Sequence, residues 1–417
     1  MPSPMMKLFG YAVRHGALRF VDHTGHESVF GDGTGKQVTC RTTDLATEFK
    51  ISADPTLAIG EAYMDGGLTV EQGTIYDLII LLMDNVREVE PTLWMRALER
   101  MRWMLRRAQQ LNSIGGSSRN VRHHYDIDGR IYDLFLDSDR QYSCGYFTSD
   151  HVDLEEAQLA KKRHLAVKLA IEDGQKILDI GSGWGGLGLY LAKLADVSVT
   201  GITLSPEQLG YSQRRAMDEG LDGSVVFQLE DYRKLAGAFD RIVSVGMFEH
   251  VGVNHYSDYF AKIAELLSED GVAVVHSIGR FDGPGIANPF IRRYIFPGGY
   301  IPALSEVLPS VERAGLFVSD VEVWRLHYAK TLRNWRERFV RNWQKAVDLK
   351  GEKFCRMWEF YLAGSEAAFR YQNLMVFQLQ LVKRLDALPL TRDYMLDTER
   401  RLRSQKREHL SVVPAAE

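Results

Sequence analysis

The chain has very little cysteine and no strong excess of charge. Three of its 417 residues are cysteines, and they lie far apart at Cys40, Cys144 and Cys355. An odd number of widely spaced cysteines predicts neither a disulfide framework nor a zinc site, and it is typical of a reducing cytosol. A formal net charge of -4 argues against nucleic-acid binding through bulk charge. We therefore expect a cytoplasmic protein with no metal site and no nucleic-acid partner.

Long hydrophobic segments are also absent. The longest uninterrupted apolar run, Leu78–Met83, is far shorter than the roughly 20 residues that a membrane-spanning helix requires. Residues 1–16 lack the apolar core of a signal peptide. These absences argue against a membrane span, but they do not exclude binding to a membrane surface.

A glycine-rich stretch stands out against this background. Residues 176–191 read KILDIGSGWGGLGLYL, and the apolar residues around Asp179 run directly into Gly181, Gly183, Gly185 and Gly186. The pattern predicts a buried parallel strand, a tight turn and the start of a helix. Glycine lets the backbone turn sharply and lets a ligand approach without a Cβ in the way. The helix N-terminus adds unpaired N–H groups, so we expect a nucleotide-like cofactor here.

Strands and helices alternate around this stretch. The further predicted strands are Val197–Thr203, Ser224–Leu229, Arg241–Val245, Val272–Ser277 and Leu316–Trp324. The predicted helices are Leu154–Ala170, Pro206–Glu219, Tyr256–Leu267 and Leu304–Ala314. This alternation predicts an α/β fold with a doubly wound, mostly parallel sheet and a ligand at the carboxyl ends of its strands.

Composition divides the chain into four parts. Residues 1–111 are predicted to form a smaller mixed N-terminal domain, and residues 112–120 (NSIGGSSRN) a linker. Residues 121–390 hold the glycine-rich stretch, a cap over the site at 281–301, and added C-terminal helices over 331–385. Residues 391–417 are predicted to be a charged, solvated tail.

Two kinds of cofactor fit a glycine turn. The glycines match the G-x-G-x-x-G spacing of dinucleotide enzymes, but that motif is weak alone. Such an enzyme usually ends its second strand in an acidic residue, and here that strand ends GITLS (201–205) without one. Asp179 instead precedes the turn, where it can meet an ammonium group, and Glu230 and Asp231 can accept a hydrogen bond from an exocyclic amine. These features favour S-adenosylmethionine (SAM).

Motifs along most of the chain resemble one family. Over residues 55–385 the sequence is similar to the cyclopropane-fatty-acyl-phospholipid synthases and their mycolic-acid cyclopropane synthase relatives. The motifs, in order, are GEAYMDG (60–66), HYDI (124–127), YSCGYF (142–147), LDIGSGWGG (178–186), TLSPEQ (203–208), EDYR (230–233), DRIVSVGMFEHVG (240–252), HSIG (276–279), YIFPGGYIP (294–302) and HYAKTL (327–332). The resemblance implies a sheet of the class I SAM-dependent methyltransferase type.

The resemblance, together with the pattern around Asp179, also implies which residues hold the cofactor. The expected SAM-binding residues are Tyr142, Ser143, Asp179, Gly181, Gly183, Gly185, Thr203, Gln208 and Asp231.

The family reaction adds a methylene group to a lipid. A cis double bond of a membrane phospholipid acyl chain attacks the sulfonium methyl of SAM, and the carbocation loses a proton from the added methyl group as the ring closes. The resemblance implies a bound bicarbonate ion as the base, held by Cys144, Glu249, His276, Ile278 (through its backbone) and Tyr328. A carbocation also needs a dry, electron-rich lining. The aromatic candidates for that lining are Tyr142, Tyr146, Phe147, Phe248 and Tyr328.

Other outcomes stay open at the level of sequence. The carbocation could instead yield a methyl- or methylene-branched chain. From a different class, the chain could be a non-catalytic lipid-binding protein with a relict fold, although the intact glycine turn argues against this. A dehydrogenase is a remote third possibility.

A basic helix is predicted over residues 91–111. Its apolar residues recur at helical spacing, and arginines occupy much of the remaining circumference at Arg96, Arg100, Arg102, Arg106 and Arg107. One interpretation is a packed surface helix with a solvated basic face. The other is an interfacial helix that meets anionic lipid headgroups. With the family resemblance, we expect peripheral association with the inner face of the membrane, and a homodimer.

Overall fold

The structure is a computed structural model that describes residues 3–86, 90, 92–110 and 128–411. Its strands are β1 (Ala17–Val21), β2 (Glu27–Phe30), β3 (Gln37–Thr42), β4 (Leu68–Gln72), β5 (Lys176–Ile180), β6 (Ser198–Thr203), β7 (Val225–Leu229), β8 (Phe239–Val245), β9 (Leu267–Arg280), β10 (Phe317–Trp324) and β11 (Leu374–Val382). The predicted linker (112–120) and the HYDI motif (124–127) lie outside the described residues.

Helices cover both faces of the larger sheet and extend the chain at each end. They are α1 (Pro4–Ala12), α2 (Leu45–Ala53), α3 (Pro55–Asp65), α4 (Ile75–Val86), α5 (Leu93–Gln109), α6 (Gly129–Asp133), α7 (Leu154–Lys168), α8 (Gly186–Leu194), α9 (Pro206–Asp218), α10 (Tyr256–Leu266), α11 (Leu304–Arg313), α12 (His327–Arg341), α13 (Trp343–Lys350), α14 (Glu352–Tyr371) and α15 (Asp393–Ser411). In the part of the chain that is described, no helix is both long and apolar enough to cross a bilayer.

A seven-stranded sheet forms the centre of the molecule and confirms the predicted α/β fold. Its strand order is β10-β11-β9-β8-β5-β6-β7. The five strands from β9 to β7 run parallel, and β11 runs antiparallel to both of its neighbours. The chain starts this sheet at β5 and later continues on its other side at β8. Ligands bind at the carboxyl ends of the strands where such a sheet reverses its winding.

The prediction of helix throughout residues 331–385 is wrong in its last part. Leu374–Val382 forms β11, which lies between β9 and β10 and is buried at every residue after the first. Its sequence, LMVFQLQLV, alternates apolar and polar residues only over Phe377–Leu381, and apolar residues flank that alternation on both sides. Periodicity alone does not separate a strand buried on both faces from a buried helix.

A four-stranded sheet of order β2-β1-β3-β4 lies in the N-terminal part. Its core contains Phe9, Phe20 and Leu78, and it also contains Ala363 and Ala367 of α14. A helix from the C-terminal region therefore completes the N-terminal core. The two parts share this packing, and the predicted domain boundaries stay a prediction.

The predicted solvated tail is in fact helical, and its first half packs on the fold. Glu399 of α15 is buried, and its Oε2 lies 3.5 Å from Nδ1 of His164, whose Nε2 lies 2.7 Å from Oε2 of Glu322. Burial alone would lower the pKa of His164, but the bonds to the two carboxylates outweigh burial and raise the pKa. His164, held between two carboxylates, thus links α15 to α7 and β10.

The basic helix also differs from its prediction. Two of the arginines expected on an outer basic face turn inward. Arg102 pairs with Asp54 and donates to Oγ1 of Thr56 at 3.0 Å. Arg106 is partly buried, and its guanidinium lies 3.3 Å from the centre of the Trp103 ring. The interpretation of α5 as a helix with a solvated basic face is therefore wrong for these residues.

Candidate active site

A cavity of about 160 Å³ opens at the carboxyl ends of β5, β6 and β8. Eight of the nine residues expected to bind SAM line it: Tyr142, Ser143, Asp179, Gly181, Gly183, Thr203, Gln208 and Asp231. Residues from four separate parts of the sequence therefore meet at one place, as the strand order requires.

The glycine turn forms the floor of this cavity. The backbone N–H groups of Gly181 and Ser182 both donate to the carbonyl oxygen of Ile202 at 2.9 Å, which holds the turn against the end of β6. Gly181 and Gly183 have φ angles of +82° and +54°, a region that glycine occupies without strain. A Cβ on Gly183 would have no other atom within 4 Å. Because Gly183 also lines the cavity, that Cβ would occupy ligand space.

The expectation that Gly185 lines the cofactor site is wrong in this structure. A Cβ on Gly185 would lie 2.7 Å from Cβ of Ser212 and 2.8 Å from Cζ of Phe227. This glycine permits close packing of α8 against α9 and β7, and it does not line the cavity.

The carboxyl group of Asp179 is buried and only partly hydrogen-bonded. Only 1% of its surface is exposed, and its Oδ2 has no hydrogen-bond partner among the described residues. Burial raises the pKa of this carboxyl to about 7, and the nearby Lys161 ammonium opposes that shift. An acid in this state is suited to a cationic ligand group, because the cation restores the charged form in a site without water. The residues present thus fit an amino-acid ammonium, as SAM carries.

Lys161 is a residue of this site that sequence reasoning missed. It comes from α7, is fully buried and lines the cavity. Its Nζ donates to Oε1 of Gln141 at 2.6 Å and to Oγ of Ser143 at 2.8 Å. Burial lowers the pKa of Lys161 to about 8, although Asp137 opposes the shift. In the sequence this lysine stands in the polar run KKRH, which gives no sign of burial.

The other predicted SAM residues are held by neighbours within the site. Oγ1 of Thr203 donates to Oε1 of Gln208 at 2.9 Å, and this pair joins β6 to the start of α9. The Asp231 carboxylate accepts from Arg233, with Nη2 at 2.6 Å from Oδ2. The ring of Tyr142 stacks on that of Trp335 at 5.2 Å between centres. These contacts fix the rotamers of the cavity wall.

A second group of predicted residues lies beside this cavity, in the turn that follows β8 and on β9. The backbone N–H of Ile278 donates to Oε1 of Glu249 at 2.6 Å, so these two residues are in direct contact. The other carboxylate oxygen of Glu249, Oε2, is inaccessible to solvent and has no hydrogen-bond partner within the described ranges. Burial raises the pKa of Glu249 to about 7, and the bond from Ile278 only partly offsets it.

His276 is buried two residues before Ile278 on β9. Its Nδ1 lies 3.0 Å from Nε2 of Gln378, its partner on β11. In this arrangement Nδ1 accepts, and the proton of the neutral ring lies on Nε2. Burial lowers the pKa of His276 to about 3, so the ring is neutral. Gln378 was missed because β11 was predicted as helix.

Cys144 and Tyr328 belong to the apolar cluster on the same side of the sheet. Both are buried there with Trp324, whose ring meets that of His276 edge-on at 5.0 Å. Burial strongly raises the pKa of the Cys144 thiol, so it stays protonated. The cluster therefore provides an apolar, aromatic wall next to the neutral imidazole.

The five aromatic candidates do not all line this wall. Tyr142 lines the cavity, and Tyr146 stacks between His164 and His327 at 4.5 Å and 5.0 Å. Phe248 belongs instead to a separate core cluster, where it stacks on Tyr256 at 4.5 Å. Its expected role at a carbocation is not supported. No cluster of metal-binding side chains occurs within the described ranges.

Replacing Lys161 with methionine tests how the cavity wall is held. Lys161→Met removes the donor to Gln141 and Ser143 and leaves two buried oxygens unpaired, so we expect the SAM dissociation constant to rise by about tenfold or more. Isothermal calorimetry measures it. The control is Lys193→Met, which removes an exposed lysine of α8 that pairs with Glu219. Equal SAM affinity in both variants would contradict this role.

Comparison with known proteins agrees with this geometry. The family model of mycolic acid cyclopropane synthetase matches residues 114–379. A cyclopropane-fatty-acyl-phospholipid synthase of Escherichia coli K12 is 36% identical over 79% of this chain and 84% of its own length. A probable fatty acid methyltransferase of Pseudomonas putida is 44% identical over 63% of this chain and 68% of its own length.

A solved structure supports the cofactor as well as the fold. A mycolic acid cyclopropane synthase complexed with SAH and CTAB superposes with a TM-score of 0.60 at 33% identity, covering 63% of this chain and 97% of that one. The seven-stranded sheet is thus that of a SAM-dependent methyltransferase, with SAM as its methyl donor. From the family match, the relatives and the site, the chain belongs to the mycolic acid cyclopropane synthetase family, which includes the cyclopropane-fatty-acyl-phospholipid synthases.

Proposed function

We propose that this protein transfers a methylene group from SAM to the cis double bond of an unsaturated phospholipid acyl chain, giving a cyclopropane ring. The observation that carries the proposal is the second residue group beside the SAM cavity, in which the partly buried Glu249 accepts from the backbone N–H of Ile278 next to the buried His276. A simple methyl transfer to a basic atom needs no such acid. Ring closure does, because a proton must leave the added methyl group.

The cavity and the apolar cluster have separate tasks in this reaction. SAM supplies an electrophilic methyl group. The π electrons of the alkene form a bond to that carbon as the carbon–sulfur bond breaks, and the positive charge moves to the acyl chain. An alkene is a weak nucleophile, so holding it in line contributes much of the rate. The aromatic wall around Tyr142 and Tyr328 excludes water and stabilises the cation.

Removal of the proton requires a base near Glu249. We propose that a bicarbonate ion would be held in this position and would supply the base, with the Glu249 carboxylate accepting a hydrogen bond from its hydroxyl group. The unpaired Oε2 of Glu249 supports such an acceptor, and the Nε2–H of His276 supports a donor to the anion. The Ile278 N–H is bonded to Glu249 in this structure, so it reaches an anion only if that carboxylate moves.

A second product is supported by the comparisons. The Pseudomonas putida relative is named a probable fatty acid methyltransferase, and a Mycobacterium tuberculosis relative, 32% identical over 78% of this chain, a tuberculostearic acid methyltransferase. The same carbocation could instead lose a proton from the acyl chain and give a methyl-branched chain that keeps a double bond. After a hydride shift, it could lose a proton from the added methyl group and give a methylene-branched chain. Glu249, His276 and Tyr328 favour ring closure in our proposal.

The location of the enzyme is part of the proposal. A phospholipid acyl substrate requires the protein to meet a bilayer, and we expect peripheral association with the inner face of the membrane. A homodimer is also expected from the family resemblance.

Product analysis tests the proposed reaction. Incubation with SAM and vesicles of unsaturated phospholipid should add about 14 Da to the lipid, the mass of one methylene group, and the product should resist hydrogenation of double bonds but open under acid. Mass spectrometry before and after derivatisation separates ring from branch. A product that remains hydrogenatable would contradict ring closure, and no mass gain at any bicarbonate concentration would contradict the whole proposal.

The pH dependence of the reaction tests the role of Glu249. The carboxyl acts only when ionised, and its pKa is about 7, so kcat/KM should rise with pH through about 7 and level off above it. Glu249→Gln should lower kcat by about a hundredfold or more and leave SAM affinity within about twofold. The control is Glu265→Gln, at an exposed acid of α10 that pairs with Lys262. Retained kcat in Glu249→Gln would exclude this role.

A further inference from the structure

The helix α5 presents its apolar side to solvent. We define the apolar face of α5 as the side formed by Leu93, Trp94, Ala97, Met101, Met104 and Leu105, all of which are exposed. Leu93, Met104 and Trp94 are 84%, 70% and 63% exposed. A surface helix normally turns such a stripe toward the core. Exposed apolar patches of this kind mark sites that contact another molecule or a membrane.

The opposite side of α5 fixes this orientation. The Arg102 guanidinium pairs with Asp54 and donates to Thr56. On the part of the apolar face nearer Arg102, the indole Nε1 of the exposed Trp94 also donates to the carbonyl oxygen of Ala53 at 3.2 Å. Arg106 turns inward toward residues 286–299. Polar contacts therefore hold the helix to the protein, and rotating the apolar face inward would break them.

Two cations border the apolar face. Arg100 is exposed, lies next to Leu93 and Met104 on the helical circumference, and has no ion pair in the described part of the chain. Arg96 is exposed and pairs only with Glu90, itself largely exposed, at 2.9 Å. An apolar strip with cations along its edge is typical of helices that lie in the interface of an anionic bilayer.

We propose that the apolar face of α5 inserts into the surface of a lipid bilayer that contains anionic headgroups, with Arg96 and Arg100 at the headgroups. A second copy of the chain is a poorer occupant, because a two-fold contact through this face would bring Arg100 toward its own copy. Anionic lipid headgroups complement the positive charges of Arg96 and Arg100. The inference deepens the proposed function, since it names the surface through which a lipid-modifying enzyme meets its substrate.

The end of α5 connects this surface to the active site. Oε1 of Gln110, which directly follows the helix, accepts from the backbone N–H of Val253 at 3.1 Å. A Cβ on Gly252 would lie 2.7 Å from the carbonyl oxygen of Gln110, so the two backbones are tightly packed. Val251 and His255, on either side of this contact, line the SAM cavity. An inserted α5 would thus hold the cavity wall close to the bilayer.

Vesicle sedimentation of two matched triple variants tests the proposal. Leu93→Ser with Met101→Ser and Met104→Ser removes much of the apolar face. The control, Met217→Ser with Leu385→Ser and Leu390→Ser, removes three apolar residues elsewhere that are at least as exposed. The full chain is mixed, without SAM, with vesicles of phosphatidylcholine containing phosphatidylglycerol. We expect partitioning of the first variant to fall by about tenfold or more, and that of the control to stay within about twofold.

Tryptophan fluorescence gives a second measurement that does not rely on the triple variant. Vesicles with brominated acyl chains should quench the wild-type chain, and Trp94→Phe should lose part of that quenching, because Trp94 lies on the apolar face. Equal partitioning of both triple variants, or unquenched wild type, would overturn the proposal. The proposal would also be overturned if the first triple variant changed the oligomeric state in the absence of lipid but bound vesicles as the wild type does. The apolar face of α5 would then contact a second copy of the chain.

These measurements are independent of the proposed chemistry. Sedimentation without SAM reports docking even if no cyclopropane product forms. Conversely, turnover of a detergent-dispersed unsaturated phospholipid should be equal, within about twofold, in the two triple variants, because neither set of residues lines the SAM cavity. A loss of that turnover in the first variant alone would overturn the assignment of the face to docking.

Discussion

The burial of an acid near the end of β5 and of a base in the middle of α7 is the constraint on which the rest of the site depends. Asp179 and Lys161 are both buried and both line the cavity, yet one carboxylate oxygen of Asp179 has no hydrogen-bond partner among the described residues. A buried carboxylate oxygen that lacks a hydrogen-bond partner costs free energy in the ligand-free protein. A cationic ligand group offsets that free energy on binding, so the site is suited to a ligand that carries an ammonium group.

The strand order then decides what can lie next to this ligand. Because β8 follows β5 and β9 follows β8 across the sheet, Glu249 and His276 come to the same edge as the glycine turn. The strand β11 adds Gln378, which orients the imidazole of His276. The methyl donor and the proposed base are thus held by neighbouring strands, while the apolar cluster from α12 and α14 closes the other side. The glycine turn alone would not distinguish this enzyme from other methyltransferases.

The sequence was sufficient for the parallel half of the sheet and for most of the predicted residues that line the cavity. A buried parallel strand is recognisable as a short apolar run that is followed by glycine or by polar residues, and β5 to β9 show this pattern. The sequence was not sufficient where a polar side chain is buried or an apolar side chain is exposed. Lys161 is a lysine buried in a polar run, and β11 is a strand with the composition of a buried helix. On α5 the composition predicted a basic outer face, but ion pairing with Asp54 turns Arg102 inward and leaves the apolar residues outside.

Calorimetric titration with SAM tests the central claim most directly, in the wild type, Gly183→Ala and Gly174→Ala. Both glycines have positive φ and open space where a Cβ would lie, but only Gly183 lines the cavity. Both substitutions therefore carry a similar backbone strain, of about 1 kcal/mol. The account predicts that SAM binds the wild type and Gly174→Ala with equal affinity, and Gly183→Ala at least about tenfold more weakly. Equal affinity in all three proteins would contradict it.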